Sequence, residues 1–332
     1  MADYINIYGQ DILAVASDPA NPTLGQIWYN TTSNTLKGEN LGTASWATGG
    51  TMNTARYGLA GCGTQTAGLA FAGDNPGGRL SATEEYDGNS WVTSPGSLNT
   101  ARGELAGCGT QTAGLGFGGS PTPGSNTGAT EEYDGSSWAN NPTGLNTARF
   151  QLTGAGTQTA GLAFGGYTNP PATNTQTATE EYDGSTWTSS PPGLNTARRL
   201  LAGAGTQTAA LAFGGLDGVP SSVGATEEYN GSTWTSNPTG LNTARNNLAG
   251  CGTQTAALAF GGETPPNTGA TEEYNGSTWT SSPASLATAR GYLAGAGTQS
   301  SALAFGGIQP PASAATEEWT GAAPTTVTIT TS

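Results

Sequence analysis

Short apolar runs with alternating large and small residues recur along the chain, each set off by glycine-rich or polar turns. In residues 209–213 (AALAF), Leu211 and Phe213 would point to one face of a β-strand and the alanines to the other. The preceding run, 201–205 (LAGAG), joins it through a short Thr-Gln-Thr turn. This pairing predicts a β-hairpin with a bulky face and a small-residue face.

A second predicted hairpin follows in the same stretch of chain. Residues 226–229 (TEEY) and 233–235 (TWT) flank an Asn-Gly pair, which is a strong signal for a tight hairpin turn. No window of the sequence has the 3.6-residue period of an amphipathic helix. We therefore expect an all-β protein built from units of four short strands.

The unit occurs six times, and each copy is marked by Asn-Thr-Ala-Arg or, once, Ala-Thr-Ala-Arg. Its arginines lie 45 to 49 residues apart, and four strands per repeat of this length is typical of a propeller blade. The tryptophan of each unit is expected on the outer strand, at the broad end of the blade. The repeat arginines are Arg56, Arg102, Arg149, Arg198, Arg245 and Arg290, and the repeat tryptophans are Trp46, Trp91, Trp138, Trp187, Trp234 and Trp279.

The order of elements in each unit resembles the kelch-type propeller repeat. In one copy the matching residues are Gly214-Gly215, Tyr229, Trp234 and Arg245. The resemblance covers residues 46 to about 319 and implies an all-β, six-bladed kelch-like β-propeller with four-stranded blades. It implies no particular activity, because one fold hosts many unrelated functions.

The two ends of the repeat region suggest how the last blade is completed. The sixth unit ends at Trp319 without the Ser-x-Trp that follows in other units, and that piece occurs near the N-terminus at Trp46. We expect the strand near Trp46 to complete the last blade, with the C-terminal TTVTITT (325–331) as the rival. The predicted parts are an N-terminal attachment segment (1–44), the propeller (45–320) and a C-terminal tail or strand (321–332).

Residues 24–38 (LGQIWYNTTSNTLKG) lie outside the repeats and predict two short strands around a Thr-Ser-Asn turn. This segment is similar to a short N-terminal module that recurs in structural proteins of tailed bacteriophages. The resemblance implies a non-enzymatic virion protein, made in the host cytoplasm and assembled in multiple copies, whose residues 1–44 bind other virion proteins. The simpler interpretation is that these residues only cap the propeller.

Two virion roles stay open at this point. In a tail-fibre or adhesin role, variable loops would bind a host surface glycan or protein. In a capsid-decorating or fibre-base role, the propeller would mainly pack against other virion subunits. A carbohydrate-active enzyme is a third possibility, in which Asp74, Asp217 and Glu263 are the acids of the variable loops.

Composition narrows the chemistry that the chain could perform. The 332 residues include no histidine, 23 acidic and 9 basic residues, for a formal charge of −14. The lack of histidine excludes an imidazole base, a Ser-His-Asp triad and a histidine-ligated metal. The negative charge argues against nucleic-acid binding, and no apolar run is long enough to cross a bilayer. We expect no cofactor, no metal, no nucleic-acid partner and no membrane insertion.

Six glutamate pairs supply 12 of the 23 acidic residues. Neighbouring residues of a strand point to opposite faces, so a pair such as Glu84-Glu85 cannot form a two-carboxylate catalytic site by itself. We expect one carboxylate of each pair to bind a repeat arginine as a structural contact, with ligand binding as the alternative. The pairs are Glu84-Glu85, Glu131-Glu132, Glu180-Glu181, Glu227-Glu228, Glu272-Glu273 and Glu317-Glu318.

Two further repeat positions look chemical but are interpreted as structural. The turn position that Asp87 occupies carries asparagine in two other units, at 230 and 275. This exchange suits a turn better than a calcium site. Cys62, Cys108 and Cys251 stand where other units have alanine, which indicates small buried side chains without disulfides.

The loops between Gly-Gly and Thr-Glu-Glu differ in length and sequence, whereas the other turns hardly change. Loops on a rigid scaffold are where recognition usually lies, so we expect the variable loops to form the binding face, with neutral drift as the alternative. The loops are 74–82, 120–129, 167–178, 216–225, 263–270 and 308–315. The predicted ligand-binding residues are Arg79, Tyr167, Asp217 and Glu263.

Overall fold

The computed structural model describes residues 12–169, 174–218 and 221–330. Within these ranges the chain contains strands and turns but no helix, so none that could cross a membrane. It divides into two compact units, unit 1 (residues 1–45 and 321–332) and unit 2 (residues 46–320). Residues 1–11 and 331–332 of the predicted terminal segments lie outside the described residues, as do parts of two variable loops.

Unit 1 contains one four-stranded sheet. Its order is β1 (Leu13–Val15), β2 (Ile27–Asn30), β3 (Thr35–Leu41) and β32 (Pro324–Thr328). β1 and β2 are parallel, and the other neighbours are antiparallel. Asp18 holds this sheet from one side, since its carboxylate accepts hydrogen bonds from Trp28 (3.0 Å) and Asn30 (2.7 Å) and pairs with Lys37 (2.6 Å). These contacts lower the pKa of Asp18 to about 2, the bond from Lys37 contributing most.

Unit 2 consists of repeated four-stranded antiparallel sheets, an architecture of the β-propeller type. Sheet 1 contains β5 (Ala60–Thr64), β6 (Ala67–Phe71), β9 (Thr83–Tyr86) and β10 (Trp91–Thr93). Sheet 2 contains β11 (Ala106–Thr110), β12 (Ala113–Phe117), β13 (Thr130–Tyr133) and β14 (Trp138–Asn141). Sheet 3 contains β15 (Thr153–Thr157), β16 (Ala160–Phe164), β19 (Thr179–Tyr182) and β20 (Trp187–Ser189).

The other sheets of unit 2 follow the same plan. Sheet 4 contains β21 (Ala202–Thr206), β22 (Ala209–Phe213), β23 (Thr226–Tyr229) and β24 (Trp234–Asn237). Sheet 5 contains β25 (Ala249–Gly252), β26 (Ala257–Phe260), β27 (Thr271–Tyr274) and β28 (Trp279–Ser281). Sheet 6 contains β29 (Ala294–Gly297), β30 (Ser301–Phe305), β31 (Thr316–Thr320) and, as its fourth strand, β4 (Ser45–Thr48). Two small hairpins lie in variable loops, β7 (Asp74–Asn75) with β8 (Gly78–Arg79) and β17 (Tyr167–Thr168) with β18 (Asn174–Thr175).

The segments at the two ends of the repeat region belong to two different sheets. β4, which contains Trp46, occupies the fourth position of sheet 6, and β32, which contains most of the C-terminal TTVTITT, pairs with β3 in unit 1. The predicted segment 321–332 thus shares a unit with the N-terminal residues. The strands of sheet 4 match the predicted runs closely, although its first strand begins one residue later than the run 201–205.

Contacts between consecutive sheets explain why glycine and the large aromatics repeat. A Cβ atom at Gly107 would come within 2.5 Å of Cζ of Phe71, so the phenylalanine at the end of one sheet's second strand needs a glycine in the next sheet's first strand. The indole of Trp138 lies 4.7 Å from the same Phe71 ring and donates to Oγ1 of Thr83 at 2.8 Å. The repeat tryptophan begins the fourth strand, at the edge of the sheet opposite the first strand, as the sequence predicts, and its ring also packs against the neighbouring sheet.

The glutamine of the Gly-Thr-Gln-Thr turn also joins neighbouring sheets. Nε2 of Gln111 donates to the carbonyl oxygens of Gly68 (3.1 Å) and Tyr86 (2.7 Å), both in sheet 1. The same three kinds of contact join sheet 6 to sheet 1. There Phe305 contacts the Gly61 position, Trp91 donates to Thr316 at 2.8 Å, and Gln65 donates to backbone carbonyls of sheet 6.

Each repeat arginine is buried and paired with the first glutamate of a glutamate pair. Arg149 lies 2.5 Å from Glu180, whose other carboxylate oxygen accepts the backbone N–H of Asn146 at 2.6 Å. Burial lowers the pKa of Arg149, and the neighbouring Glu180 partly offsets this effect. The carboxylate thus ties the guanidinium to the Asn-Thr-Ala segment that precedes it. The pairs are Arg56–Glu84, Arg102–Glu131, Arg149–Glu180, Arg198–Glu227, Arg245–Glu272 and Arg290–Glu317.

The second glutamate of each pair faces the next sheet, on the opposite side of the strand. Glu181 accepts a hydrogen bond from the hydroxyl of Tyr229 at 2.5 Å. Sheet 6 departs from this pattern, because Trp319 replaces the tyrosine that would face Glu273. The Trp319 ring instead packs 5.3 Å from Trp46, and burial raises the pKa of Glu273.

Candidate functional site: the variable face of unit 2

The two ends of the sheets carry different residues. At one end, here called the constant face, the Thr-Gln-Thr turns lie beside the Asp-Gly or Asn-Gly turns, as Gly135 does beside Thr112. At the other end, the residue after each repeat arginine pairs with the start of a variable loop, as Gly103 does with Ser120. We call this second end the variable face. It comprises the six variable loops and the two residues that follow each repeat arginine.

The second residue after each repeat arginine forms the innermost part of the variable face. The backbone N–H of each of these residues donates to the carbonyl of the equivalent residue in the preceding repeat, at 2.7 to 2.9 Å. The last of these bonds runs from Gly58 to Tyr292, so the six hydrogen bonds form a cycle. All six residues have positive φ, between 53° and 56°. They are Gly58, Glu104, Gln151, Leu200, Asn247 and Tyr292.

A cavity of about 90 Å³ lies within this cycle. It is lined by the six residues of the cycle and by the buried leucine that follows each of them in the sequence. The first strands continue from these leucines into Ala-Gly positions that line a second, deeper cavity. Six repeats therefore contribute identical leucines where the two cavities meet, and different side chains to the rim of the upper cavity.

The polar side chains at this rim are hydrogen-bonded to one another. Nε2 of Gln151 donates to Oε1 of Glu104 at 2.9 Å. Nδ2 of the buried Asn247 donates to Oε2 of Glu263 at 2.8 Å. Glu263 belongs to a variable loop, so this bond connects the loop to the cavity.

Aromatic side chains surround the polar ones. The rings of Tyr57 and Tyr292 meet edge to face at 6.1 Å, and those of Phe150 and Tyr167 do so at 5.5 Å. The guanidinium carbon of Arg199 lies 4.5 Å from the centre of the Tyr167 ring, a cation–π contact. These contacts fix side chains that occur once each in the repeat series.

The acidic and basic groups of the variable face influence Tyr292. Its pKa is raised to about 12, mainly by burial, with smaller contributions from the charges of Glu263 and Glu104. A hydrogen bond with Asn247 and the charge of Arg199 act in the opposite direction. Two carboxylates and one guanidinium are therefore close enough to the cavity to affect a group on its rim.

Arg79 and Asp74 form an ion pair across the β7–β8 hairpin. Arg79 also donates to Oγ of Ser120 at 3.0 Å, which connects this loop to the next one. Burial raises the pKa of Asp74 in spite of the neighbouring Arg79, and Glu104 adds to the increase. The ion pair still positions both side chains, because Gly103 leaves the space in which Asp74 and Arg79 meet.

The predicted binding residues all lie on the variable face but do not converge on one point. Tyr167 and Arg79 belong to different loops and contact Arg199 and Asp74, respectively. Glu263 reaches the cavity rim through Asn247. Asp217 is half-buried and follows Leu216, whose backbone pairs with Arg199. Residues 219–220 of this loop, and residues 170–173 of the loop that contains Tyr167, lie outside the described residues.

The sequence analysis missed the cavity rim itself. Its signal was present in the repeat unit as the two residues between arginine and leucine, which differ in each copy while their neighbours stay constant. These pairs are Tyr57-Gly58, Gly103-Glu104, Phe150-Gln151, Arg199-Leu200, Asn246-Asn247 and Gly291-Tyr292. The loops drew attention because they vary in length, whereas these pairs vary only in identity.

Comparison with models of known protein families gives no match, and comparison with curated proteins gives none either. In the described part of the chain, no group of three or more Cys, Asp or Glu side chains is arranged to hold a metal ion.

Proposed function

We propose that this protein is a six-bladed kelch-like propeller of a bacteriophage virion that binds a host surface glycan or protein through its variable face. The observation that carries the proposal is the separation of the two faces. Non-repeated side chains gather on the variable face around the cavity, whereas the constant face repeats the same turns. Binding proteins commonly combine a rigid scaffold with varied loops in this way.

The six-bladed, closed form of the propeller is part of the proposal. Three cyclic contacts support it: the backbone hydrogen bonds from Gly58 round to Tyr292, the phenylalanine-glycine packing and the glutamine bonds between sheets. A ring without free sheet edges would also protect the strands from pairing with other chains. The order of Gly-Gly, Tyr, Trp and Arg, complete in four of the six units, supports the kelch resemblance.

A binding role fits the variable face better than a catalytic one. Asp74 is paired with Arg79, Glu263 accepts a bond from Asn247 and Glu104 accepts one from Gln151. These carboxylates hold neighbouring side chains in place, which is the behaviour of a preformed recognition surface. The virion assignment rests on residues 24–38, and a tail-fibre or adhesin location is proposed for the particle.

The experiment compares matched variants on the two faces. A labelled full-length chain is applied to a panel of bacterial cells, and the amount bound is measured. We expect Tyr167→Ala combined with Arg79→Ala to reduce binding at least tenfold, and Thr112→Ala combined with Ser136→Ala on the constant face to leave it unchanged. Equal binding by the two double variants, or no binding by the parent chain, would contradict the proposal.

The proposed location of the chain on a phage particle is tested by a separate measurement. Antibody labelling of phage particles in electron micrographs should place the chain on the tail, and particles without it should adsorb poorly. Particles that adsorb normally but break more easily would overturn the adhesin role in favour of capsid decoration.

A further inference from the structure

We propose that the cavity within the six-residue cycle binds one saccharide residue without acidic groups through its hydroxyl groups. This inference rests on the proposed binding function and names the chemistry of the ligand. Its basis is the set of side chains at the rim, which combines acceptors, an aromatic ring and a net negative charge next to a ring of buried leucines.

The rim offers more hydrogen-bond acceptors than donors. Among the described residues, Oε1 of Gln151 is buried and has no hydrogen-bond partner, which is costly unless a ligand or solvent group donates to it. The carboxylates of Glu104 and Glu263 each accept one bond from a neighbouring amide, and a carboxylate has capacity for further bonds. One amide hydrogen of Gln151 is directed to Glu104, and the amide of Asn247 donates to Glu263 and, at 2.7 Å, to Oδ1 of Asn246. A ligand that supplies several O–H donors matches this arrangement.

The charge near the cavity selects against anionic ligands. Glu104 and Glu263 each hold a rim amide, and their two carboxylates outnumber the one guanidinium, that of Arg199, which lies against Tyr167. The net negative charge repels carboxylated or phosphorylated sugars. A polyol without acidic groups avoids this repulsion and still satisfies the acceptors.

The size of the cavity limits how much of the ligand enters. Its volume of about 90 Å³ is smaller than the roughly 150 Å³ of an engineered protein cavity that binds one benzene ring. This suits the edge of one sugar ring beside the leucines, with the remainder of the molecule outside. The ring of Tyr292 lines the cavity, is held edge to face by Tyr57, and can cover an apolar face of the sugar. A terminal saccharide residue therefore fits better than the interior of a chain.

The test uses saturation-transfer NMR on the full-length protein. The probes are the methyl glycosides of glucose, galactose, mannose and N-acetylglucosamine, with glucuronic acid as the anionic counterpart. We expect at least one neutral glycoside to bind, and glucuronic acid to bind at least tenfold more weakly. Binding of none of the neutral glycosides, or preferential binding of glucuronic acid, would overturn the inference.

Two rim variants locate the site. Gln151→Gly removes the acceptor and reproduces Gly58, which holds the same positive φ in the first repeat, and Glu104→Gln keeps the shape but removes a charge. Each variant should weaken binding of the neutral sugar at least tenfold, whereas Thr112→Ala on the constant face should change this binding less than twofold. Thermal unfolding of each variant checks that the fold is intact, and undiminished sugar binding by Gln151→Gly in folded protein overturns the inference.

The cell-binding assay separates this inference from the proposed function. If the parent chain binds cells, and Tyr167→Ala with Arg79→Ala abolishes binding while Gln151→Gly does not, the cavity is not the receptor site but the variable face is. If the parent chain binds no cell of the panel, the proposed function fails.

Discussion

The contacts between sheets and the rim of the cavity lie a few residues apart in the sequence, yet they obey different rules. Between sheets, the same side chains recur in nearly every repeat. Gln111 and Gln158, for example, each donate hydrogen bonds to two carbonyl oxygens of the preceding sheet. At the rim, six equivalent positions carry six different residues with one shared backbone conformation. The cycle of hydrogen bonds there constrains the backbone but not the identity of the side chain.

This difference shows where the fold leaves sequence free to change. A side chain between sheets meets a neighbour on each side, so its volume and hydrogen bonds are set by packing. A rim side chain instead meets other unrepeated side chains, as Gln151 meets Glu104. New binding properties can therefore arise at the rim without disturbing the contacts that hold the repeats together.

The largest expected effect comes from breaking a buried ion pair. Arg149→Met leaves the carboxylate of Glu180 buried without its guanidinium, and we expect the free energy of unfolding to fall by about 3 to 5 kcal/mol. The double variant Arg149→Met/Glu180→Leu should recover much of this loss. Urea unfolding measures both, and a single variant as stable as the parent would contradict the structural role.

The next prediction concerns the contact between sheet 6 and sheet 1. Phe305→Ala and Phe117→Ala remove equivalent rings that pack on Gly61 and Gly154, so each should lower the free energy of unfolding by about 3 to 4 kcal/mol. Equal losses are expected for a closed ring. A loss below about 1 kcal/mol for Phe305→Ala alone, measured by the same urea titration, would argue against closure.

A smaller effect distinguishes two adjacent leucines. Leu200 has φ of 54° at the rim, a conformation that costs a non-glycine residue about 1 kcal/mol, so Leu200→Gly should leave stability unchanged or raise it by up to about 1 kcal/mol. Leu201 is buried where the two cavities meet, and Leu201→Gly should cost more than about 2 kcal/mol. Thermal unfolding of the two variants compares rim with scaffold directly, and similar losses for both would erase the distinction.

The smallest expected effect is on the pH dependence of stability, through the turns of the constant face. Turn hydrogen bonds lower the pKa of Asp134 and Asp183 to about 2 in the folded chain, below the ordinary value of about 4. Their contribution to stability is therefore present above about pH 4 and is lost as the pH falls toward 2. Asp134→Asn/Asp183→Asn should flatten this part of the urea-midpoint profile, since asparagine already occupies the equivalent turns at 230 and 275.

The sequence alone determined the repeat, the all-β class and the four strands of each unit, because alternating residues and Asn-Gly turns act over a few positions. It also separated variable loops from constant turns. It did not reveal that Trp138 and Gln111 reach the neighbouring sheet, since a repeat pattern does not say which copy a side chain contacts.

The tertiary structure decided where the unrepeated residues meet. Gln151 and Glu104 are 47 residues apart and touch because consecutive repeats place equivalent positions side by side. Asn247 and Glu263 meet because a variable loop returns to the residue after its own repeat arginine. Local propensity fixes strands, whereas a cavity arises only when several repeats share one centre, so its chemistry depends on the arrangement of the sheets.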